Sequence, residues 1–200
     1  MEEIIEENKK LGIKPKLLVQ VCCAPCSTLV LQRLRDYFDI DIYYYNPNIY
    51  PESEFDKRVL TLKKLLSETK LPAKIFLGDK DSKAFYEKVP NRKNDKEGGK
   101  SCYLCYQLRL DETAKFAKKN SYEYFTTTLS ISPYKNSKWL NEIGHNLSQK
   151  YEIKYLYADF KKKNGYKKSI DLSKKYDLYR QDYCGCIFSY QEMIEKRKDK

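Results

Sequence analysis

The sequence predicts an α/β fold in which helices cover both faces of a doubly wound parallel sheet, within a single domain. Short apolar segments rich in β-branched and aromatic residues alternate with segments of helical periodicity along the 200 residues. Neither a linker nor an internal repeat divides the chain, and its length suits one such domain better than two. Cysteine, asparagine and aspartate residues follow the first three predicted strands, where parallel sheets bind ligands.

The strands are predicted from their apolar, β-forming composition, and they cover residues 16–22, 40–45, 74–77, 122–128 and 153–157. The helices are predicted from apolar residues that recur on one face, over residues 29–38, 52–69, 82–88, 102–119, 136–150, 171–176 and the C-terminal segment after Cys186. Pro25 suits the first turn of the earliest of these helices. Residues 90–100 are polar and Gly-containing, which predicts a mobile loop.

The net charge of +11 favours a polyanionic partner, because Lys and Arg side chains release the counterions of a phosphate backbone. Basic residues concentrate in a C-terminal segment, residues 160–200. No apolar run is long enough to cross a membrane, and the acidic N-terminus is unlike a signal peptide. We therefore expect a cytoplasmic protein with no membrane partner.

Seven cysteines occur in three tight groups, Cys-Cys-x-x-Cys at residues 22–26, Cys-x-x-Cys at 102–105 and Cys-Gly-Cys at 184–186. An odd number in a cytoplasmic chain argues against a framework of disulfides. Cys102 and Cys105 lie three residues apart at a helix start, so both point the same way, and the helix N-terminus favours their thiolates. With Cys22 and Cys23 they could hold a four-iron cluster or a structural zinc.

The other cysteines leave alternatives open. A disulfide between Cys184 and Cys186 would close a small, easily reduced ring, for which Gly185 gives the backbone freedom. The same pair could instead ligate cluster iron or a second metal. Cys26 is either a further thiol of the site or a small buried apolar side chain. The first strand is not followed by a Gly-rich phosphate fingerprint, so no nucleotide cofactor is predicted.

Five linked motifs resemble the QueH-type, cobalamin-independent epoxyqueuosine reductases, and their order and spacing match along nearly the whole chain. They are Val21-Cys22-Cys23-Ala24-Pro25-Cys26, Asn46-Pro47-Asn48-Ile49-Tyr50-Pro51, residues 102–110 from Cys102-Tyr103-Leu104-Cys105, Thr126-Thr127-Thr128-Leu129 with Ser132-Pro133-Tyr134, and Tyr183-Cys184-Gly185-Cys186.

The resemblance implies the last step of queuosine synthesis, in which the epoxide of epoxyqueuosine at the wobble position of tRNA is reduced. It implies a Rossmann-like fold of the HUP, or adenine nucleotide alpha hydrolase-like, kind. The implied cofactor is a [4Fe-4S] cluster on Cys22, Cys23, Cys102 and Cys105, without cobalamin. Cys184 and Cys186 are then a redox-active disulfide pair or ligands of an additional mononuclear iron. An electron donor that the sequence does not identify is also required.

Further site residues are expected from the resemblance and from their places beside the cysteines. Cys184 and Cys186 are the expected catalytic residues, with Asp79 and Asp182 as candidate proton donors or oxygen ligands. The expected substrate-binding residues are Arg58 and Arg109, which suit a phosphate or carboxylate, the tyrosines that suit an unstacked base, and two asparagines of the second motif: Tyr103, Tyr106, Tyr183, Asn46 and Asn48.

Two other functions fit parts of the sequence. A zinc-stabilised RNA-binding module without catalysis accounts for the charge, the tyrosines and four cysteines, but leaves Cys184 and Cys186 without a role. A thioredoxin-like thiol–disulfide oxidoreductase accounts for Cys102 and Cys105, but needs neither Cys22-Cys23 nor a surplus of positive charge.

Overall fold

The strands of the protein are β1 (Lys16–Gln20), β2 (Asp39–Tyr44), β3 (Ile75–Leu77), β4 (Tyr124–Thr127) and β5 (Lys154–Tyr155). A computed structural model describes residues 1–89 and 95–198, and in it these strands form one parallel sheet in the order β3-β2-β1-β4-β5. The chain thus winds outward from β1 in both directions. The switch point lies between β1 and β4, which is where doubly wound sheets bind their ligands.

The described part of the chain contains the helices α1 (Glu2–Leu11), α2 (Ala24–Leu34), α3 (Glu52–Thr69), α4 (Lys83–Lys88), α5 (Lys100–Lys119), α6 (Ser137–Tyr151), α7 (Gly165–Lys175) and α8 (Ile187–Lys198). A short 3₁₀ turn, Thr128–Ile131, follows β4. Asn136 begins α6 as its cap, because its side-chain oxygen accepts hydrogen bonds from the backbone N–H groups of Lys138 and Trp139.

The central strand supplies both halves of the core, because successive side chains of a strand point to opposite faces. Leu17 and Val19 pack with α2 and α3 side chains, whereas Leu18 packs with Leu110 of α5 and Leu140 of α6. All three β1 side chains are fully buried. Burial on both faces explains why β1 is an unbroken apolar run rather than an alternating one.

The structure agrees with the predicted order of strands and helices but differs at several boundaries. Helix α1 was not predicted, although it ends at Gly12, whose φ of 63° is the left-handed conformation typical of a helix stop. Helix α2 begins at Ala24, directly after the cysteine pair, so Pro25 stands in its first turn as predicted, but the helix ends at Leu34 rather than at residue 38. Helix α7 begins at Gly165 rather than at residue 171.

Of the predicted mobile loop, residues 90–94 lie outside the described residues, and the rest forms turns that lead into α5 at Lys100. Among the described helices, none combines the length and the apolar character that a membrane crossing requires.

Candidate active site

The carboxyl-terminal edge of the sheet brings together two of the sequence motifs. Cys22 and Cys23 follow β1, and Asn46 and Asn48 follow β2. The loop after β2 is tied to the loop after β1, because the Asn46 Nδ2 donates to the carbonyl of Val21 at 2.8 Å. The sequence prediction that these residues converge on one edge is therefore confirmed by their positions.

Three of the thiols form a first cysteine group, made of Cys22, Cys23 and Cys26. Their sulfur atoms all lie within 4.8 Å of one another, and the Cys22 and Cys23 sulfurs are 3.7 Å apart. Hydrogen bonds from the Cys23 and Cys26 thiols hold the pKa of Cys22 well below its ordinary value. Burial is the main reason that the pKa of Cys23 rises to about 12. Of the three thiols, Cys22 is therefore the one that loses its proton most readily.

The remaining thiols form a second cysteine group, made of Cys102, Cys105, Cys184 and Cys186. All four line one small cavity of about 20 Å³, together with Asn48, Tyr106, Arg109 and Lys135. Burial raises the pKa of Cys105 to about 12. The predicted cluster ligands thus divide between the two groups, with Cys22 and Cys23 in the first and Cys102 and Cys105 in the second. All seven cysteines are free thiols.

Arg58 fixes the backbone of the Cys-Gly-Cys segment. Its Nη1 donates to the Cys184 carbonyl at 3.0 Å and its Nη2 to the Tyr183 carbonyl at 3.4 Å, while its Nε donates to Glu54 at 2.7 Å. Gly185 has a φ of 126°, and a Cβ atom there would lie 2.9 Å from the Arg58 Nη1. The sequence led us to expect that Arg58 binds a phosphate or carboxylate of the substrate. In the structure all three of its guanidinium nitrogens donate hydrogen bonds to protein atoms instead.

Lys135 brings a second buried cation to the Cys-Gly-Cys segment. Its Nζ lies 3.1 Å from the Cys184 sulfur and 2.5 Å from a Glu97 carboxylate oxygen. Burial by itself would lower the pKa of Lys135, but the charges of Cys184, Tyr106 and Glu97 hold it well above the ordinary value. The sequence analysis missed Lys135, although it directly follows the Ser132-Pro133-Tyr134 motif.

Arg109 is the third buried cation, and it lies between the two cysteine groups. It lines the small cavity of the second group and also a larger cleft that reaches Cys22 and Cys26 of the first. Its Nη2 donates to Asn46 Oδ1 at 2.6 Å, and its Nε has no hydrogen-bond partner among the described residues. The side chain is only 2% exposed, so it does not face solvent.

The larger cleft has a volume of about 300 Å³ and joins the cysteines to the surface. Cys22, Cys26 and Cys184 line it, and so does Tyr134, which is 67% exposed. The remaining wall is mostly polar and aromatic, and it includes Tyr166, Arg180, Gln181, Asp182, Tyr183 and Lys196. The Gln181 side-chain oxygen is buried without a partner in the described part of the chain.

The other predicted site residues occupy different surroundings. Asp182 lines the cleft and pairs with Arg197. Asp79 is exposed, accepts a hydrogen bond from the Asp81 backbone, and does not belong to the described lining of the cleft or of the small cavity. Tyr106 is buried beside the second group, whereas the Tyr103 hydroxyl donates to Glu142 outside both cavities.

Comparison with known proteins gives one consistent family. A sequence profile described as Epoxyqueuosine reductase QueH matches residues 17–192. A protein named Epoxyqueuosine reductase QueH from Streptococcus pyogenes serotype M1 is 35% identical over 207 residues, covering 100% of this chain and 81% of the relative. The protein of the same name from Thermotoga maritima is 35% identical over 184 residues, covering 92% of this chain and 94% of the relative.

Among solved structures, the U34-tRNA thiolase NcsA from Methanococcus maripaludis, determined with its [4Fe-4S] cluster, has a similar fold. Its TM-score is 0.55 at 12% sequence identity, and the match covers 94% of this chain and 69% of that chain. At this identity the likeness concerns the fold alone, and it agrees with the expected Rossmann-like fold.

Proposed function

The chain belongs to the epoxyqueuosine reductase QueH family, and on that basis we propose that it reduces the epoxide of epoxyqueuosine in tRNA to the alkene of queuosine. The observation that carries this proposal is that the family match contains all seven cysteines, of which Cys22, Cys26 and Cys184 line a cleft open to the surface. The zinc-module and thioredoxin-like alternatives are not favoured, because every relative named above is an epoxyqueuosine reductase.

The reaction is an oxidoreduction that needs two electrons and two protons. Both C–O bonds of the epoxide break, an alkene forms between the two carbons, and the oxygen leaves as water. The electrons come from a donor that the sequence and the structure do not identify. Because an iron–sulfur cluster passes one electron at a time, the reaction needs a second redox group beside it. We assign this role to Cys184 and Cys186, either as a dithiol that is oxidised to a disulfide or as ligands of an additional iron.

The side chains around the cysteines fit the iron–sulfur group that the family resemblance implies. Seven thiols surround a region that also holds buried cations, and thiolate–iron groups are anionic. The Asn48 Oδ1, the Tyr106 hydroxyl and the Arg109 Nε are buried without partners among the described residues, and all three residues line the cavity of the second group. Unpartnered polar atoms so deeply buried are costly unless a bound group satisfies them.

The proposed ligands of a [4Fe-4S] group are Cys22, Cys23, Cys102 and Cys105, with Cys26 as an alternative because its sulfur lies with those of Cys22 and Cys23. When bound, the group would supply electrons one at a time. The chain itself provides the surrounding charge and excludes water, since Cys23, Cys102 and Cys186 are buried.

The 300 Å³ cleft is proposed to receive the modified nucleoside after it leaves the anticodon stack. Its volume suits a single extruded nucleoside, and extruded bases are usually held by aromatic faces and by hydrogen bonds to their edges. Tyr134 and Tyr183 offer the aromatic faces, and the unpartnered Gln181 oxygen offers a hydrogen-bond acceptor. Asp182 is proposed as an oxygen ligand or, when released from Arg197, as a proton donor, because its carboxyl group lines the same cleft.

The decisive test is anaerobic purification with iron, sulfide and zinc analysis, followed by incubation with epoxyqueuosine tRNA and a chemical reductant. We expect a brown protein with about four irons and matching sulfide, together with queuosine in the nucleoside digest by mass spectrometry. A colourless protein that binds one zinc, even after iron–sulfur reconstitution, and that leaves epoxyqueuosine unchanged would contradict the proposal.

A further inference from the structure

Arg109 differs from the other two buried cations of the site in its counter-charge. Arg58 is paired with Glu54 at 2.7 Å, and Lys135 is paired with Glu97 at 2.5 Å. Within residues 1–89 and 95–198, no carboxylate forms an ion pair with Arg109. An isolated buried charge is strongly destabilising, so a side chain that is 2% exposed needs an anion from another source.

The neighbouring thiols are the groups able to supply that anion. Arg109 follows Cys102 and Cys105 by seven and four residues on α5, which places it on the same helix face. It also lines the cleft that contains Cys22, Cys26 and Cys184.

Asn46 holds the guanidinium in this place. Its Oδ1 accepts the Arg109 Nη2 at 2.6 Å, and its Nδ2 donates to the Val21 carbonyl at 2.8 Å, one residue before the Cys22-Cys23 pair. The Arg109 Nε remains without a partner in the described region, so the guanidinium keeps a hydrogen bond to offer. Two residues first expected to bind substrate thus form a link between the two cysteine groups.

We propose that Arg109 is the shared counter-ion of the two cysteine groups, and that it sets the reduction potential of the iron–sulfur group they hold rather than binding tRNA. This inference rests on the proposed function. An electron added to an anionic group is stabilised by a nearby cation, and net charge together with hydrogen bonds to sulfur controls such potentials. Loss of the positive charge therefore makes the group harder to reduce.

The test compares Arg109→Gln, which removes the charge, with Arg109→Lys, which keeps it. Lys118→Gln is the matched control, because it removes an exposed cation from the same helix. Midpoint potentials are measured by titration followed with electron paramagnetic resonance, and affinity for epoxyqueuosine tRNA is measured separately. We expect Arg109→Gln to shift the ratio of oxidised to reduced centre at least tenfold, or about 59 mV to lower potential for one electron. Arg109→Lys and Lys118→Gln should stay near the wild type, and tRNA affinity should not change.

Iron and sulfide content keep the test informative when Arg109→Gln fails to assemble the centre. Both Arg109 variants are then checked for native circular dichroism, and iron retained by Arg109→Lys but lost from Arg109→Gln supports the counter-ion role. Equal iron loss or an equal potential shift in both variants would overturn it, as would a tRNA-binding defect at unchanged potential. A wild-type protein without iron would overturn the proposed centre as well, whereas an unchanged potential in Arg109→Gln overturns this inference alone.

Discussion

At the scale of single residues, Gly185 is the position where backbone conformation and packing constrain the site together. Its φ of 126° is strained for any other residue, and an added Cβ would meet the guanidinium that holds the Cys184 carbonyl. Glycine at this position therefore lets the chain turn between the two cysteines, and it also lets Arg58 approach the turn closely.

We expect Gly185→Ala to lower the free energy of unfolding by about 2 kcal/mol, which combines backbone strain with displacement of Arg58. Thermal unfolding followed by circular dichroism would measure the loss, as a decrease of roughly 4–8 °C in Tm. Gly12→Ala is the matched control, because Gly12 also has a positive φ but an added Cβ would meet no atom within 4 Å. If the decrease in Tm for Gly185→Ala is no larger than that for Gly12→Ala, the close contact with Arg58 does not contribute to stability.

Cys26 shows how far the sequence could define the site. The sequence places Cys26 in the first turn of α2, but it could not show whether the side chain packs in the core or joins the other thiols. In the structure the helix starts at Ala24, and the Cys26 sulfur lies within 4.8 Å of the Cys22 and Cys23 sulfurs. The role of Lys135 could not be predicted either, because its contact with Cys184 joins residues that are 49 positions apart in the sequence.

Replacing Cys26 by alanine should lower the iron content of the anaerobically purified protein, because it removes one thiol from the only group of three whose sulfurs lie within 4.8 Å in the described residues. Iron and sulfide analysis with an absorption spectrum would measure the effect. A full complement of iron with an unaltered spectrum would instead assign Cys26 to packing.

At the scale of secondary structure elements, the alternation of apolar strands and amphipathic helices was sufficient to predict a doubly wound sheet. The range of α3 was predicted as residues 52–69, since its apolar stripe is regular and Pro51 precedes it. Helix α1 was not predicted, because its first residues are mostly acidic and polar. In the structure Ile5 nevertheless packs in the core. Strand order cannot be read from local patterns, since it depends on contacts between distant segments.

Asp111 joins α5 to α6 through three hydrogen bonds, which come from Lys115 on its own helix and from Lys150 and Tyr151 on the neighbouring one. Burial by itself would raise the pKa of Asp111, but these bonds outweigh it and hold the pKa below the ordinary value of 3.8. A carboxyl group whose folded pKa is depressed stabilises the protein above its unfolded pKa, and this contribution disappears as pH falls through the folded pKa.

We therefore expect Asp111→Asn to lower the free energy of unfolding by about 1 kcal/mol at neutral pH, with a smaller difference near pH 2. Urea unfolding at the two pH values would measure both. Asp171→Asn, at an exposed position on α7, is the control for loss of a surface charge. If the difference in the free energy of unfolding between Asp111→Asn and the wild type is the same at both pH values, the charge of Asp111 does not contribute to stability.

At the scale of the whole molecule, the net charge of +11 and the cleft together suggest how the substrate approaches. Lys196 on α8 lines the cleft beside Asp182 and Tyr183, so a tRNA whose modified base enters the cleft would bring its backbone near α8. Affinity would then depend on phosphate neutralisation over a wide surface, while recognition of the modified base would depend on the few side chains of the cleft.

Affinity for tRNA should fall on the order of 100-fold between 50 and 200 mM salt, which corresponds to about four neutralised phosphates. Lys196→Gln should weaken binding at low salt and reduce the slope of log Kd against log salt by about one, because one phosphate contact is lost. Lys10→Gln, on α1 and away from the cleft lining, should leave the slope unchanged. Equal slopes for the wild type and Lys196→Gln would mean that Lys196 does not contact the tRNA backbone. An affinity that does not depend on salt would mean that the positive net charge does not contribute to tRNA binding.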